Sequence, residues 1–399
     1  MLKSAGITSM GGYIPAKEAP EKTRKELVEY LRKETLLYPE YIEEIEDTGH
    51  LPGSIETNYD GWESQPWFES WLKKLPPKKQ DDPFQGRKER RRVPLDPVSV
   101  RESIHPHPML SSDAETLAGA LAIFNSGSDK NEIDLVLVHS LVPDLHVPMN
   151  ASLVQYKLGL KNAAAYNIDT CCSSFISMME IAMTYVRCGM KKKVLIIGSS
   201  LDSHIMDKST YYSPITGDGI IAAIIAEVED DCGYISSHAK SRGQRHKAII
   251  FKKRCPELLI TTSQGHTYEQ EFVTFNDRTA LKEIALNAPE DMTGVVVETL
   301  KKAGLSPTDI DFIVMHQPSA WITKVWCEAI GVPLNKSYET YANYGNLAVG
   351  SVAVNLIEAV EKGLIKEKDR VMAASSGVGA NHIALLQKIS PQLIKNNKL

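Results

Sequence analysis

The chain repeats itself. Residues 131–140 (NEIDLVLVHS) match residues 308–317 (TDIDFIVMHQ), with Ile133 opposite Ile310 and His139 opposite His316, 177 positions apart. Residues 194–200 (VLIIGSS) match residues 371–377 (VMAASSG) at the same separation. Equal offsets at both ends point to duplication of a whole folding unit, not a local coincidence. Between the matched strands lie similar middles: ASLVQYKLGL then AAAYNID in the first copy, AWITKVWCEAIG then KSYETYA in the second.

Helical periodicity precedes each first strand, at residues 114–124 and 293–304, and follows each middle strand, at residues 174–186 and 349–363. Each copy therefore reads helix–strand–helix–strand–helix–strand, with the short apolar strands of a covered parallel sheet. The expectation is an α/β fold of two pseudo-symmetric halves, residues 1–228 and 229–399. Residues 30–96, with WESQPWFESWLKKLPPKKQDDPF inside them, break the pattern and read as an inserted cap or arm. Its Trp62, Trp67, Phe68 and Trp71 either line an entrance or subunit contact, or belong to a surface excursion without a catalytic part. Residues 238–256, a basic stretch, carry the same ambiguity.

Composition narrows the function classes. The 399 residues are 43% hydrophobic with a formal net charge of -5, too balanced to suggest nucleic acid. The run Arg87-Lys88-Glu89-Arg90-Arg91-Arg92 reads as a solvated, salt-bridged loop, with docking of an acidic carrier protein as the other reading. Six cysteines without a CxxC pair argue against a disulfide scaffold or a metal site. Neither a signal-peptide core nor a run of about 18 apolar residues is present. A reducing, cytoplasmic setting without a membrane span is expected.

The repeat also assembles a site. Cys172, in NIDTCCSSF, falls where a strand turns into an apolar helix, and a helix amino terminus favours thiolate. The equivalent turn of the second half carries Tyr344-Gly345-Asn346, and its first strand ends in Met315-His316-Gln317. Pseudo-symmetry brings the strand ends together, so Cys172, His316 and Asn346 can share a pocket: nucleophile, base or donor, and neutral donor. Singly, each has a plainer role as core thiol, structural imidazole or turn residue. Together they suit acyl transfer through a thioester.

These segments resemble the thiolase superfamily, in its β-ketoacyl-acyl-carrier-protein synthase III branch, over residues 1–30 and 85–399. AYNIDTCCSSF is similar to the nucleophile segment, with Cys172 as the nucleophile and Cys171 buried beside it. MHQPSAWI is similar to the histidine segment and YANYGNLAVGSVAVNL to the asparagine segment. Gly217-Asp218-Gly219 and SSGVGAN (375–381) match further glycine landmarks. The resemblance implies a five-layered αβαβα thiolase-like fold, a homodimer or related heterodimer, and a tunnel for a phosphopantetheine arm. It implies thioester substrates, from acyl carrier protein or acyl-CoA, and no cofactor or metal. It places the oxyanion hole at the N–H groups of Cys172 and Gly377, and His316 and Asn346 against an enolate oxygen formed by loss of carbon dioxide. A carboxylate at position 346 would repel that oxygen.

Several positions depart from the family pattern. Ser174 stands where a glycine is usual, and Ser375 lies in the segment that usually brings a phenylalanine near the nucleophile, so both are candidate substrate contacts. Val147, lent by a partner subunit, is a candidate for setting acyl length. The positions that commonly hold Trp and Arg around a coenzyme A adenine fall on Gln80 and Phe84, which favours a carrier-protein donor. Three activities compete. The first is a decarboxylative ketosynthase of specialised fatty-acid or polyketide-type biosynthesis. The second is an acyltransferase that passes the acyl group from Cys172 to an alcohol, amine or amino-acid-derived nucleophile. The third is a silent partner subunit. A hydroxymethylglutaryl-CoA-synthase-like reading lacks its upstream Glu in VHSLVPDLHVP.

Overall fold

A computed structural model describes residues 2–56, 64, 66–93, 109–206, 210, 212–261 and 267–396. Its strands are β1 (Ala5–Tyr13), β2 (Ser54–Glu56), β3 (Arg90–Arg92), β4 (Leu135–Ser140), β5 (Ala164–Asn167), β6 (Lys193–Leu201) and β7 (Asp218–Glu227). The later strands are β8 (Gly233–Ser241), β9 (Ile249–Thr261), β10 (Thr267–Phe275), β11 (Phe312–Met315), β12 (Arg370–Gly377) and β13 (Asn381–Lys388).

Two sheets carry the duplication. The first runs β1-β7-β6-β4-β5 and the second β8-β13-β12-β11. Both repeat strands pair in parallel within their own half, β4 with β6 and β11 with β12; β5 joins β4 in parallel, and β1, β7, β8 and β13 add antiparallel. Alternation along each strand then divides the core. Val194 and Ile196 of β6 pack with Val371 and Ala373 of β12 in a central layer, around the helices Ser174–Arg187 and Gly350–Glu361. Leu195 and Ile197 face an outer layer with Leu117 and Leu121 of the helix Ser111–Ser126, while Met372 and Ala374 face Val295 and Trp326 on the helices Arg278–Ala303 and Ile322–Ile330. Helix, sheet, helix, sheet, helix is the five-layered αβαβα order of the thiolase-like fold. Period-two patterning on strands buried on both faces is what builds it.

The halves differ at one edge. The stretch KSYETYA, expected as the partner of β5, forms only a single parallel bridge, Ile313 to Ser337. The Gln317 side chain replaces the missing ladder: its Oε1 accepts the Thr340 N–H at 3.1 Å and its Nε2 donates to the Tyr338 carbonyl at 3.4 Å.

The inserted region is also two things. Leu31, Leu37, Tyr41, Ile42, Ile45 and Leu51 belong to the same outer core as β4 and the helix Ser111–Ser126, so the chain up to about residue 51 is part of the framework. Residues 66–86 form the outlying arm, held by a cluster of Trp67, Phe68, Trp71 and Phe84 in which Trp71 and Phe84 stack with centroids 6.0 Å apart. Trp62 lies outside the described residues.

The basic run was expected as a solvated loop; two of its members are instead buried. Arg90 is 1% exposed and bonds to Ser213, while Arg87 is 8% exposed and gives its guanidinium to the carbonyls of Glu89 and Thr216. A guanidinium is held inside here because its N–H fork meets oxygen acceptors: the Glu89 and Thr216 carbonyls for Arg87 and the Ser213 hydroxyl for Arg90.

Candidate active site

β5 ends at Asn167, and after three residues a 3-10 turn, Cys171–Ser173, leads into the helix Ser174–Arg187. Hydrogen bonds inside the turn fix it: Ser174 Oγ accepts the Thr170 N–H at 2.8 Å, and Ser173 Oγ donates to the Thr170 carbonyl at 2.7 Å. Gly377, at the end of β12, packs directly on this turn. A Cβ there would stand 2.3 Å from the Thr170 carbonyl oxygen, so only glycine allows the approach.

Ser174 and Ser375 are fully buried; Ser174 serves the turn, and Ser375 Oγ donates to the Cys172 carbonyl at 2.9 Å. Both bonds hold the turn that carries the nucleophile. The backbone N–H of Val378 reaches the Cys172 thiol. Cys171 is half-buried, with its Sγ 3.8 Å from that of Cys172. Finally, the helix terminus does not make Cys172 a thiolate in the free site. The S–H···S contact with Cys171 and burial raise its pKa well above the ordinary thiol value, Asp202 adds to this, and only the Val378 N–H opposes it.

His316 follows β11, and its N–H pairs with the Ala374 carbonyl of β12 at 3.1 Å. Its ring is buried. Nδ1 donates to the Ser376 carbonyl at 2.9 Å, and Nε2 lies 3.1 Å from Asn346 Oδ1. Burial lowers its pKa to about 4 against the raising effect of these two contacts, so the free site holds a neutral imidazole at physiological pH.

Asn346 is half-buried and held from three sides. Its N–H donates to the Ile215 carbonyl at 3.0 Å, its carbonyl accepts the Gly217 N–H at 3.1 Å, and its Oδ1 accepts the Ala348 N–H at 2.9 Å. With Oδ1 occupied, Nδ2 is the group left to donate. The glycines of the 217–219 landmark have a specific task here, because a Cβ on Gly217 would sit 2.1 Å from the Tyr344 carbonyl. Gly345 turns the chain at φ +75°, with the Arg87 guanidinium against its Cα.

Neighbouring residues of β12 connect the three. Ser375 holds Cys172, Ser376 holds His316, and His316 touches Asn346. The arm closes on the same region: Gln85 Oε1 accepts the Ala320 N–H at 3.1 Å, Lys79 Nζ lies 5.8 Å from the Trp321 ring centroid, and the Lys88 N–H bonds to the Ala342 carbonyl at 2.7 Å. Val147, by contrast, is 89% exposed on the surface of this chain. Among the described residues no group of three or more His, Cys, Asp or Glu is placed to hold a metal ion, and no helix is long and apolar enough to cross a membrane.

Sequence reading missed Val378, Arg87, Gln85 and the carbonyl of Ser376. Of these four, Val378 and Ser376 act through backbone atoms, and Arg87 and Gln85 reach residues far away in sequence, so side-chain type gives no local signal.

Residues 166–243 match the family profile described as 3-oxoacyl-[acyl-carrier-protein (ACP)] synthase III, and residues 300–389 match its C-terminal counterpart. A β-ketoacyl-[acyl-carrier-protein] synthase III of Caldanaerobacter subterraneus is 31% identical over 274 residues, which are 67% of this chain and 80% of that protein. The chain belongs to the β-ketoacyl-acyl-carrier-protein synthase III family. Another member, from Ehrlichia canis, is 33% identical over 68% of this chain and 81% of its own length. The solved structure of the Thermus thermophilus synthase III covers 96% of this chain and 99% of its own with a TM-score of 0.70 at 25% identity. The priming β-ketosynthase of the R1128 polyketide pathway shares the fold with a TM-score of 0.69 at 19% identity, over 98% of each chain. As a member of this synthase III family the chain is a condensing enzyme of the acyltransferase class, and Cys172, His316 and Asn346 lie in the matched segments.

Proposed function

We propose that the enzyme loads an acyl group onto Cys172 and joins it to a malonyl or β-ketoacyl thioester by decarboxylative Claisen condensation. The chain of contacts from Cys172 through Ser375 and Ser376 to His316 and Asn346 is the observation that carries this reading. Cys172 sulfur attacks the donor thioester while its own N–H and that of Val378 hold the oxyanion; the donor C–S bond then breaks, and the donor thiol leaves with the Cys172 proton. The second thioester then lays its carbonyl oxygen against His316 Nε2 and Asn346 Nδ2. Loss of carbon dioxide leaves an enolate, whose negative oxygen offsets the effect of burial, so that His316 Nε2 takes up a proton from water and donates to it; that proton passes to the Cys172 thiolate when the product leaves. The enolate carbon attacks the acyl-Cys172 carbonyl and expels the Cys172 thiolate, releasing a β-ketoacyl product.

The substrates of this reading are acyl carrier protein or acyl-CoA thioesters, with no resident cofactor. The arm against Ala320 and Trp321, carrying Lys73, Lys74, Lys78 and Lys79, supports a carrier-protein donor and a specialised pathway. A homodimer is supported by the open edge strand β5, with Tyr166, Leu145, Leu153 and Tyr156 exposed beside it; Val147 on this face would then reach the partner's acyl pocket. Transfer to an alcohol or amine loses support, since Ser174 and Ser375 are both occupied in holding the turn.

The test is intact-protein mass after incubation with acyl-CoA and acyl-carrier donors, followed by a malonyl-carrier chase. A Cys172-dependent mass gain that the chase removes with release of carbon dioxide supports the reading. A gain that the chase leaves in place refutes decarboxylative condensation.

A further inference from the structure

A second thiol lies against the nucleophile, and the condensation does not use it. Cys171 Sγ and Cys172 Sγ are 3.8 Å apart, in an S–H···S contact. Cys171 is half-buried whereas Cys172 is 8% exposed. Cys171 also stands at φ +53°, a region that side-chain-bearing residues seldom adopt. Its N–H is tied to Asp169 Oδ1 at 2.8 Å, and Asp169 lies 3.4 Å from Nδ1 of His139 on β4. The turn thus presents one thiol to the outside and keeps the other directly behind it.

Two thiols in contact, one reachable and one sheltered, are what stepwise oxidation to a disulfide requires. We propose that a hydroperoxide entering the site converts Cys171 and Cys172 to a vicinal disulfide that reversibly masks the nucleophile. The Cys171 sulfur attacks the peroxide; the O–O bond breaks, an alcohol or water leaves, and Cys171 carries S–OH. Cys172 sulfur then attacks Cys171 sulfur; the S–O bond breaks, and the hydroxide leaves as water with the Cys172 proton. The two thiols have given up two electrons and two protons, and the peroxide has become an alcohol (or water) and water.

The geometry also accounts for reversal. The sulfurs must close from 3.8 Å to about 2.05 Å, within reach of side-chain rotation. Adjacent Cα atoms are only about 3.8 Å apart, below the usual disulfide span of about 4.4 Å or more, so the bridge is strained. Strained disulfides reduce readily. Burial and the S–H···S contact keep Cys172 protonated, which steers the first oxidation to its neighbour. Cys171 thereby shields the nucleophile from oxidation to sulfinic acid.

The bridge itself stands without any acyl donor; only the resulting loss of activity rests on the condensing reading. The experiment treats the full-length enzyme and its Cys171→Ser and Cys171→Ala variants with hydrogen peroxide. Peptide mass mapping follows, before and after dithiothreitol, with melting curves to confirm that the variants fold. The expected wild-type result is a loss of about 2 Da in the peptide holding both residues, restored by dithiothreitol. Both variants should instead gain about 32 Da at Cys172 and regain at least fivefold less of their own starting Cys172 thiol. The proposal is overturned if the wild type also takes up oxygen at Cys172. It is equally overturned if Cys188, exposed elsewhere among the described residues, oxidises while Cys171 and Cys172 stay reduced.

Discussion

His316 Nε2 and Asn346 Oδ1 lie 3.1 Å apart although both ring nitrogens of His316 face oxygen acceptors. A neutral imidazole has one N–H to give, and burial holds the ring neutral with a pKa of about 4. Nε2 therefore has no proton to give until the ring takes one up against a developing negative oxygen, and position 346 must be neutral for that oxygen to carry the charge. Asn346→Asp should raise the His316 pKa from about 4, by placing a carboxylate beside it. Acylation of Cys172 should remain, while release of carbon dioxide from malonyl thioester falls by at least about 100-fold. Imidazole NMR titration and intact mass measure the two effects separately.

Gly377 and Val378 contribute differently despite being neighbours. Gly377→Ala drives a Cβ into the Thr170 carbonyl, a backbone atom that cannot give way, and should destabilise the fold by about 2 kcal/mol or more. Val378→Ala keeps its N–H and should acylate within about threefold of the wild-type rate, whereas an amide-to-ester replacement at 378 should slow acylation by about 100-fold. Single-turnover mass kinetics distinguish these outcomes from those expected if Gly377 supplied the donor.

Arg87 supports the asparagine from behind. Arg87→Ala leaves the Thr216 and Glu89 carbonyls without their donor and opens space over Gly345. A loss of about 2–4 kcal/mol is expected in denaturant unfolding. Among molecules that remain folded, decarboxylation should suffer more than acylation, because Gly345 adjoins Asn346 and lies remote in sequence from Cys172.

A buried carboxylate predicts the pH dependence of stability. Glu115 accepts hydrogen bonds from Ser140 at 2.6 Å and Asn150 at 3.0 Å, and burial together with Asp144 pushes its pKa up to about 7 from 4.5. Between those values the folded state binds the proton more tightly than the unfolded chain, so this group's contribution is fully present below about pH 4.5 and is lost as pH rises through 7. Relative to wild type, Glu115→Gln should gain on the order of 3 kcal/mol across that window, on top of a constant cost for its amide meeting Asn150. Denaturant midpoints from pH 4.5 to 8 test the slope; a flat difference would contradict it.

The sequence by itself determined the duplication and the α/β alternation, and it set Cys172, His316 and Asn346 at matching strand ends of the two copies. Periodicity and equal spacing are properties of the linear chain, and a strand-to-helix turn places a residue by its register alone. Ser174 and Ser375 show the limit of that reading, because sequence marks a hydroxyl but not whether it faces a substrate or a neighbouring carbonyl. The basic run shows it again: Arg87 and Arg90 are buried where they meet the Thr216 carbonyl and the Ser213 hydroxyl, each over a hundred positions away. The missing ladder of the second half is likewise replaced by Gln317, whose amide finds its partners only after folding. Tertiary structure alone decided these points, since burial and hydrogen-bond partnership depend on which distant atoms the packed layers bring within about 3 Å.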